Sequence, residues 1–586
     1  MEQRMPNINS LWAALIVEEL VRNHISYFCV SPGSRSTPLT VAVARNSKAE
    51  SLICIDERAA AYHALGYARA TGTPAVLVCT SGTAVANYFP AVTEAAMSCI
   101  PMLVLSADRP PELRDTGANQ TIFQPGIFGD YVRWHFDMPC PDENIPPSAV
   151  LTTVSQAVYR AKHSPAGPVH LNCMFREPLA PIDAPVKPDY ENGIAHWKNN
   201  AKPYSEYAPA VLFSDNKKIA DIAQILENAT APLISVGRLS SQKEIDAVKS
   251  LTQTLNIPIL ADVCSGLRLG CDFENFISYF DQLLLNADFA EKLRPDAIIH
   301  FGGETISKRL QQAIAKWKPK EYIVVKNHPF RFDQNHLATA SVHAEIDWVC
   351  RELESHLPNV KCDSILALKK QNRMVEKTLG KHLRPNDLLS EISVARLIST
   401  HIPETAGLFL SNSMPIRDMD MYATPSGASV RVGANRGASG IDGILASASG
   451  FAAGLEKPVT LLIGDLSLLH DLNSLFLIRT VRKPVILIVI NNGGGGIFSF
   501  LPIAKHEDVF ERYFETPQNL NVRLTAEMAG IEYFHPKTNA EFSDCYTDIM
   551  QKPRTVILEV KTERKANVEL HKSLQKIILN ELDALK

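Results

Sequence analysis

Residues 464–498 read GDLSLLHDLNSLFLIRTVRKPVILIVINNGGGGIF. One β-rich run ends at Gly464-Asp465, and a second ends at Asn491-Asn492, followed by four glycines. Asn492 lies 27 residues after Asp465, the length of one βαβ crossover between neighbouring parallel strands, so both strand ends share one sheet edge. The Asp465 carboxylate, the Asn492 amide oxygen and the Gly494 carbonyl are hard oxygen donors suited to Mg²⁺ or Mn²⁺, in a shell incomplete enough to admit phosphate oxygens. A helix beginning near Leu466-Ser467 would offer free N–H groups to the same phosphates. The bland alternative is an Asx-rich turn beside a flexible glycine loop that holds no ligand.

A second stretch, CIDERAAAYHALGYARATG, places Glu57 at a strand-to-helix junction. Such a carboxyl can move a proton, or it can simply suit the positive end of the helix dipole. Cations form a third set. Arg35, Arg109 and Arg417 each follow a predicted strand, Arg436 lies in the glycine-rich turn NRGASGIDG, and Lys308-Arg309 come from the middle of the chain. The planar fork of arginine suits carboxylates, whereas any one of these residues alone could be solvated surface.

The elements that must position these residues are short β-rich runs alternating with alanine-rich helical stretches, the pattern of parallel sheets with helical crossovers. Strands are predicted at Ser26–Val30, Ser51–Ile55, Ala75–Cys79, Met102–Ser106 and Val169–Asn172, then at Pro232–Val236, Ile259–Ala261, Ala297–Phe301 and Glu321–Val325. A third block has strands at Gly407–Leu410, Val459–Ile463, Val485–Ile490 and Thr555–Val560. Linkers are expected over Pro178–Lys202 and Pro358–Pro385, and an exposed helix over Asn567–Lys586. The domains expected are therefore 1–182, 203–357 and 386–586. Shifting the third block back by 384 positions lays Gly450 on Gly66, Phe451 on Tyr67 and Val459–Ile463 on Ala75–Cys79. The match passes through helix, turn and strand without a gap, so the first and third blocks read as one fold used twice. Glu57 then falls on Ile441.

The 586 residues carry a net charge of −4 and 21% charged side chains, which points to neither nucleic acid nor an anionic membrane. Eleven cysteines without a CxxC pair read as free thiols in a reducing compartment. No apolar run approaches membrane-spanning length, and a cytoplasmic protein is expected.

The segment from Gly464-Asp465 to Asn491-Asn492 resembles the fingerprint of the thiamine-diphosphate-dependent enzymes, the family that includes acetolactate synthase and pyruvate decarboxylase. SPGSRSTPLT (31–40), TSGTAVAN (80–87), SADRPPEL (106–113), GANQTI (117–122) and NRGASGIDG (435–443) are similar to its menaquinone-biosynthesis branch. That likeness is close in the outer blocks and rests mainly on SKRL (307–310) in the middle one. The resemblance implies an α/β chain of three parallel-sheet domains, the first and third being similar thiamine-diphosphate-binding folds. Domain 1–182 would take the aminopyrimidine, and domain 386–586 the diphosphate and metal. Glu57 would be the catalytic carboxyl beside the aminopyrimidine. Thr80, Gly82, Ser413, Ile441, Asp465, Leu466, Ser467, Asn492, Ile497 and Phe498 would complete the cofactor contacts. Ile441 would be the aliphatic wedge under the bent cofactor, and Asp465, Asn492 and Gly494 the metal ligands.

The implied reaction is decarboxylation of 2-oxoglutarate and conjugate addition of the resulting succinic-semialdehyde carbanion equivalent to isochorismate. Ser34, Arg35, Arg109, Gln120 and Arg436 would hold the acceptor, with Arg35 as a carboxylate clamp. Ser413 and Arg417 would bind the 2-oxoglutarate-derived part, and Lys308-Arg309 would add positive charge. Ile497, Phe498 and Leu501 would line an apolar wall. Active sites at a dimer interface are implied, in a homodimer or a homotetramer. His470 has no role in this scheme. Two rivals stay open: a simple 2-oxo acid decarboxylase or acetolactate synthase, and a catalytically silent α/β protein that binds the cofactor as a regulatory ligand. The chain has no His-His pair of the kind simple decarboxylases of the family often carry, and its middle block lacks GxGxxG.

Overall fold

A computed structural model describes residues 5–357 and 365–585 of the chain. The continuous apolar runs become parallel strands, and most crossovers are helical. The first sheet contains β1 (Tyr27–Val30), β2 (Glu50–Ile53), β3 (Val76–Cys79), β4 (Met102–Asp108), β5 (Trp134–Met138) and β6 (Pro168–Met174), in the order β2-β1-β3-β4-β6-β5. The central sheet contains β7 (Pro232–Val236), β8 (Ile259–Ala261), β9 (Ala297–Phe301), β10 (Glu321–Lys326) and β11 (Ala340–His343), in the order β11-β10-β9-β7-β8. The third sheet contains β12 (Gly407–Leu410), β13 (Val432–Ala434), β14 (Val459–Gly464), β15 (Val485–Asn491), β16 (Glu532–Phe534) and β17 (Val556–Lys561), in the order β13-β12-β14-β15-β17-β16. The first and third sheets therefore share one topology, strand for strand. A shift of 384 carries β3 into β14, as the sequence comparison requires.

The chain forms two compact units. One comprises the chain up to Ala210 together with Asn435–Glu456 and His470–Lys483. The other comprises Val211–Ala434, Lys457–Leu469 and the chain from Pro484 onward. In the first unit the helix Glu57–Thr71 begins at Asp56, whose side chain accepts from the Ala59 N–H, and stops at Gly72 (φ 71°). Its small residues let it lie against the helix Ile444–Leu455. A Cβ on Gly66 would sit 1.9 Å from the Ser447 carbonyl oxygen, and one on Gly450 would sit 1.8 Å from that of His63. The same 384-residue shift turns each of these contacts into the other, so the pair crosses about a local pseudo-twofold. Only glycine permits such backbone approach.

Two expectations need correction. Within the stretch expected as a second linker, residues 358–364 lie outside the described residues, but Ile365–His382 is an 18-residue helix that buries Leu368, Val375 and Leu379. The C-terminal helix, Arg564–Asp583, is also not simply exposed: Val568, His571, Leu574, Ile578 and Leu582 are buried. Both helices are amphipathic, and their apolar residues recur at helical spacing between long charged ones. In the central sheet the crevice between β7 and β9, where the strand order reverses, is closed by backbone. A Cβ on Gly237 would lie 1.8 Å from the Gly303 carbonyl oxygen, and the Gly303 N–H donates to the Arg238 carbonyl at 2.9 Å.

Candidate active site

In the first unit the site residues sit at the carboxyl ends of adjacent strands, where parallel sheets present their ligands. The loop after β1 carries Ser34 and Arg35, the loop after β3 carries Thr80 and Gly82, and Arg109 follows β4 directly. These loops interlock. The Arg35 N–H donates to Thr80 Oγ1 at 3.2 Å, and a Cβ on Gly33 would come within 2.3 Å of Thr80 Cβ. Gln120, itself at φ 57°, donates from Nε2 to the Ser81 carbonyl and accepts the Ser81 hydroxyl on its own carbonyl, each at 3.0 Å. Its side chain covers Gly82 (φ 89°), where a Cβ would meet Gln120 Cγ at 2.9 Å.

Arg35 is more occupied than its sequence context suggests. It is 4% exposed, donates to the Phe175 carbonyl at 2.8 Å and pairs with Glu177 at 3.3 Å. Glu177 is 71% exposed, so an incoming carboxylate could replace it at little cost. Arg109 buries an Nε with no hydrogen-bond partner. Its backbone N–H caps Asp108, which also anchors Arg114 at 3.0 Å.

Glu57 is the first residue of its helix and half-buried. Ile441, its counterpart under the 384 shift, is 40% exposed, unlike the fully buried Ile444 and Leu445 that follow it. Its loop, which also bears Arg436, is held from below. Glu94 is buried and accepts from the Gly437 and Ala438 N–H groups at 2.8 and 2.6 Å, while the Tyr62 hydroxyl donates to Asp442. His470, left without a role by the sequence, accepts on its carbonyl from Arg58 at 2.9 Å.

In the second unit β14 and β15 are neighbours, so Asp465 and Asn492 occupy one sheet edge. Asp465 opens the short helix Asp465–His470, which contains Leu466 and the buried Ser467. Burial pushes the Asp465 carboxyl above its ordinary range, partly offset by the N–H groups of Leu466, Gly493 and Gly494. Asp465 Oδ2 and Asn492 Oδ1 are both buried with no partner in hydrogen-bond geometry. Two orphaned acceptor oxygens on adjacent strand ends fit a hard divalent cation. Gly494, at φ 151°, could hold no side chain, because a Cβ would lie 2.2 Å from the Glu515 carbonyl oxygen. Its own carbonyl accepts the Gly496 N–H at 2.9 Å, leaving a second lone pair. Among the described residues no three His, Cys, Asp or Glu side chains gather into a metal-binding group.

A cavity of about 550 Å³ lies in the same unit. It brings together Lys308, Arg309, Arg417, Ile497 and Leu501, with His571 and Gln575. Arg309 pairs with the buried Asp281, whereas Lys308 is exposed. Ser413 precedes the cavity-lining Met414 and adopts φ 71°. That conformation is costly for a non-glycine residue and is concentrated at functional sites. Arg417 donates back to the Ser413 carbonyl. Phe498 stacks edge-on against Phe514 at 5.7 Å.

Sequence reasoning missed several supports. Arg564 donates to the Asn492 carbonyl at 2.9 Å and pairs with Glu515 at 3.1 Å, and the Glu515 carbonyl accepts the Gly495 N–H at 2.7 Å. The glycine loop is thus fastened rather than loose. Glu391 is buried and accepts from Asn492 Nδ2 at 3.0 Å. Burial and then the Asp418 carboxylate push its pKa up to about 7. A signal for Arg564 was available: it follows the strand Thr555–Val560, and β17 pairs with β15. None pointed to Glu391, which comes from a distant helix start.

Comparison with known proteins agrees with this geometry. Three family models match: the N-terminal TPP binding domain of thiamine pyrophosphate enzymes over residues 12–127, a middle domain of thiamine pyrophosphate over 188–410 and the C-terminal TPP binding domain over 432–560. Proteins named 2-succinyl-5-enolpyruvyl-6-hydroxy-3-cyclohexene-1-carboxylate synthase are similar along almost the whole chain. The one from Prosthecochloris aestuarii is 47% identical over 98% of both chains. That from Rubrobacter xylanophilus is 48% identical over 98% of this chain and 99% of its own, and that from Chlorobaculum tepidum is 45% identical over 97% of both. The chain belongs to the thiamine pyrophosphate enzyme family, among the 2-succinyl-5-enolpyruvyl-6-hydroxy-3-cyclohexene-1-carboxylate synthases.

Proposed function

We propose that the chain makes 2-succinyl-5-enolpyruvyl-6-hydroxy-3-cyclohexene-1-carboxylate from 2-oxoglutarate and isochorismate, with loss of CO₂, as a step of menaquinone biosynthesis. The observation that carries the reading is the pair of orphaned oxygens on Asp465 and Asn492, taken together with the cavity lined by Lys308, Arg309 and Arg417. Arg309 is already paired with Asp281, so Lys308 and Arg417 are the cations of the cavity that favour a dicarboxylate over a cation and its diphosphate alone.

Domain 386–586 would hold the diphosphate through Mg²⁺ or Mn²⁺ on Asp465, Asn492 and the Gly494 carbonyl, with Leu466 and Ser467 at the phosphates. Domain 1–182 would hold the aminopyrimidine, with Glu57, Thr80 and Gly82 around it. When bound, thiamine diphosphate supplies the electron sink for decarboxylation. Glu57 would hold a proton beside the aminopyrimidine. Ile441 would pack against the cofactor as an aliphatic wedge. Arg417, with Ser413, holds the distal carboxylate of the 2-oxo acid, and Lys308-Arg309 add charge on the same side. Ser34, Arg35, Arg109, Gln120 and Arg436 orient the acceptor. Ile497, Phe498 and Leu501 exclude water from the reacting carbon. The working form is a cytoplasmic homo-oligomer, a dimer or tetramer with active sites at a subunit interface. Domain 203–357 separates the two cofactor-binding domains along the chain.

The test supplies purified protein with thiamine diphosphate, Mg²⁺, 2-oxoglutarate and isochorismate, follows isochorismate loss by ultraviolet absorbance and identifies the adduct by mass. Adduct formation that requires the acceptor is expected. Equal CO₂ release without isochorismate, and no adduct, would make the chain a simple 2-oxo acid decarboxylase.

A further inference from the structure

We infer that Glu391 is a positioning residue for the metal site: its carboxylate fixes which end of the Asn492 amide is presented as a ligand. The inference rests on the proposal above that Asn492 binds the divalent cation.

An asparagine side chain has two nearly equal ends, one a donor and one an acceptor, and a metal ligand is useful only if the oxygen faces the metal. Asn492 Nδ2 donates to Glu391 Oε1 at 3.0 Å. The same Oε1 accepts the Thr562 hydroxyl at 3.1 Å, so it acts as an acceptor twice and cannot take the amide oxygen in place of the NH₂. Once Nδ2 is committed to Glu391, Oδ1 is left buried and without a partner. A backbone wall limits the amide on another side: a Cβ on Gly496 would lie 2.7 Å from Nδ2, 3.4 Å from Cγ and 3.7 Å from Oδ1.

Glu391 itself is well held. It is the first residue of a helix whose Ser390 cap forms a reciprocal pair with Ser393. Thr562, its other partner, donates its N–H to the Asn491 carbonyl at 3.2 Å, so the carboxylate is tied to the ends of both β15 and β17. Groups that orient a metal ligand from behind typically change metal affinity by about 10- to 100-fold when removed.

The test measures Mn²⁺ binding, from the electron-paramagnetic-resonance signal of free Mn²⁺, with thiamine diphosphate saturating. Glu391→Gln keeps an acceptor oxygen of the same reach. Glu391→Met fills the same volume without one. The expected result is a rise in the Mn²⁺ Kd of about 10- to 100-fold for the Met variant and near-complete rescue in the Gln variant. Gly496→Ala, which crowds the amide while leaving Glu391 intact, should raise the Kd in the same direction and serves if the Met variant does not fold. Mn²⁺ binding unchanged in the Met variant (or in the Ala variant, where the Met variant does not fold), or a Gln variant as impaired as the Met one, would overturn the inference. Asp465→Ala and Asn492→Ala separate the two readings. If they lose Mn²⁺ while Glu391→Met does not, only the role of Glu391 falls; if they bind Mn²⁺ normally, the metal site falls with it.

Discussion

The first and third sheets have the same strand order, yet their carboxyl edges carry different chemistry. At the edge of the first, Glu57 opens a helix and basic residues stand on loops that interlock side chain to backbone. At the edge of the third, acceptor oxygens stand over a glycine loop fastened by Arg564 and Glu515. The equivalent of the Glu57 carboxyl is the aliphatic Ile441. The shared topology fixes where a strand end lies and how close a helix can come. What stands at that place is set by single residues, so one fold can carry two different chemistries.

The largest expected effect breaks this asymmetry at its acidic end. Glu57→Gln should lower kcat by about 10²- to 10⁴-fold with little change in unfolding midpoint, whereas Ile441→Ala, at the matching position, should weaken cofactor binding by only about tenfold. Steady-state kinetics with a thiamine diphosphate titration decides between the two. Comparable losses of kcat in both variants would mean that the halves are not divided into acid and wedge.

The shared part of the comparison is tested by Gly66→Ala and Gly450→Ala. Each adds a Cβ less than 2 Å from a carbonyl oxygen of the opposing helix, so each should cost about 3 kcal/mol, and the two costs should agree within about 1 kcal/mol. Urea denaturation reads both. A large inequality would show that the pseudo-twofold is geometric but not energetic.

A smaller effect distinguishes the helices by pH. His63 is buried between the Tyr27 hydroxyl (2.9 Å) and Ser449 (2.7 Å), and burial lowers its pKa to about 3. Its counterpart, Ser447, does not titrate. The unfolded chain takes up a proton near pH 6.5 that the folded chain refuses until about 3, so stability is lost as pH falls through that window. Between pH 7 and pH 5 the loss from His63 should be about 2 kcal/mol. Burial also lowers His170 to about 3, adding a similar slope. His63→Gln should remove its own share of the slope, measured by urea titrations at the two pH values. The mildest test is Arg417→Lys, expected to raise KM for the 2-oxo acid about tenfold by losing the two-point fork while leaving isochorismate KM unchanged.

How legible this was in the sequence varied with burial. The predicted strands all form, and the missed ones, β5, β11, β13 and β16, are sheet edges. Edge strands are wetted on one side and lack the continuous apolar run that marks a strand buried on both faces; Glu532–Phe534 and Ala340–His343 show this. Asp465, Asn492 and Gly494 were legible because local spacing alone puts them on adjacent strand ends. Arg35 was legible as a cation but not as a partner of Glu177, and Glu391 was invisible. In each case the partner arrives from far along the chain, which no local pattern encodes. The ten cysteines among the described residues form no disulfide, as their spacing implied. Among those residues, no helix is long and apolar enough to cross a membrane.

The C-terminal helix has a consequence for how far the chain can be shortened. The third sheet is complete at β17, and the matched C-terminal domain ends at residue 560. Yet Arg564, which fastens the glycine loop, and His571, which lines the cavity, come after it. A chain cut after Lys561 would keep every strand of that sheet and still lose the Arg564 tie to the Asn492 carbonyl. Completing the sheet and completing the glycine loop beside it are therefore separate events, and the loop depends on the helix that follows.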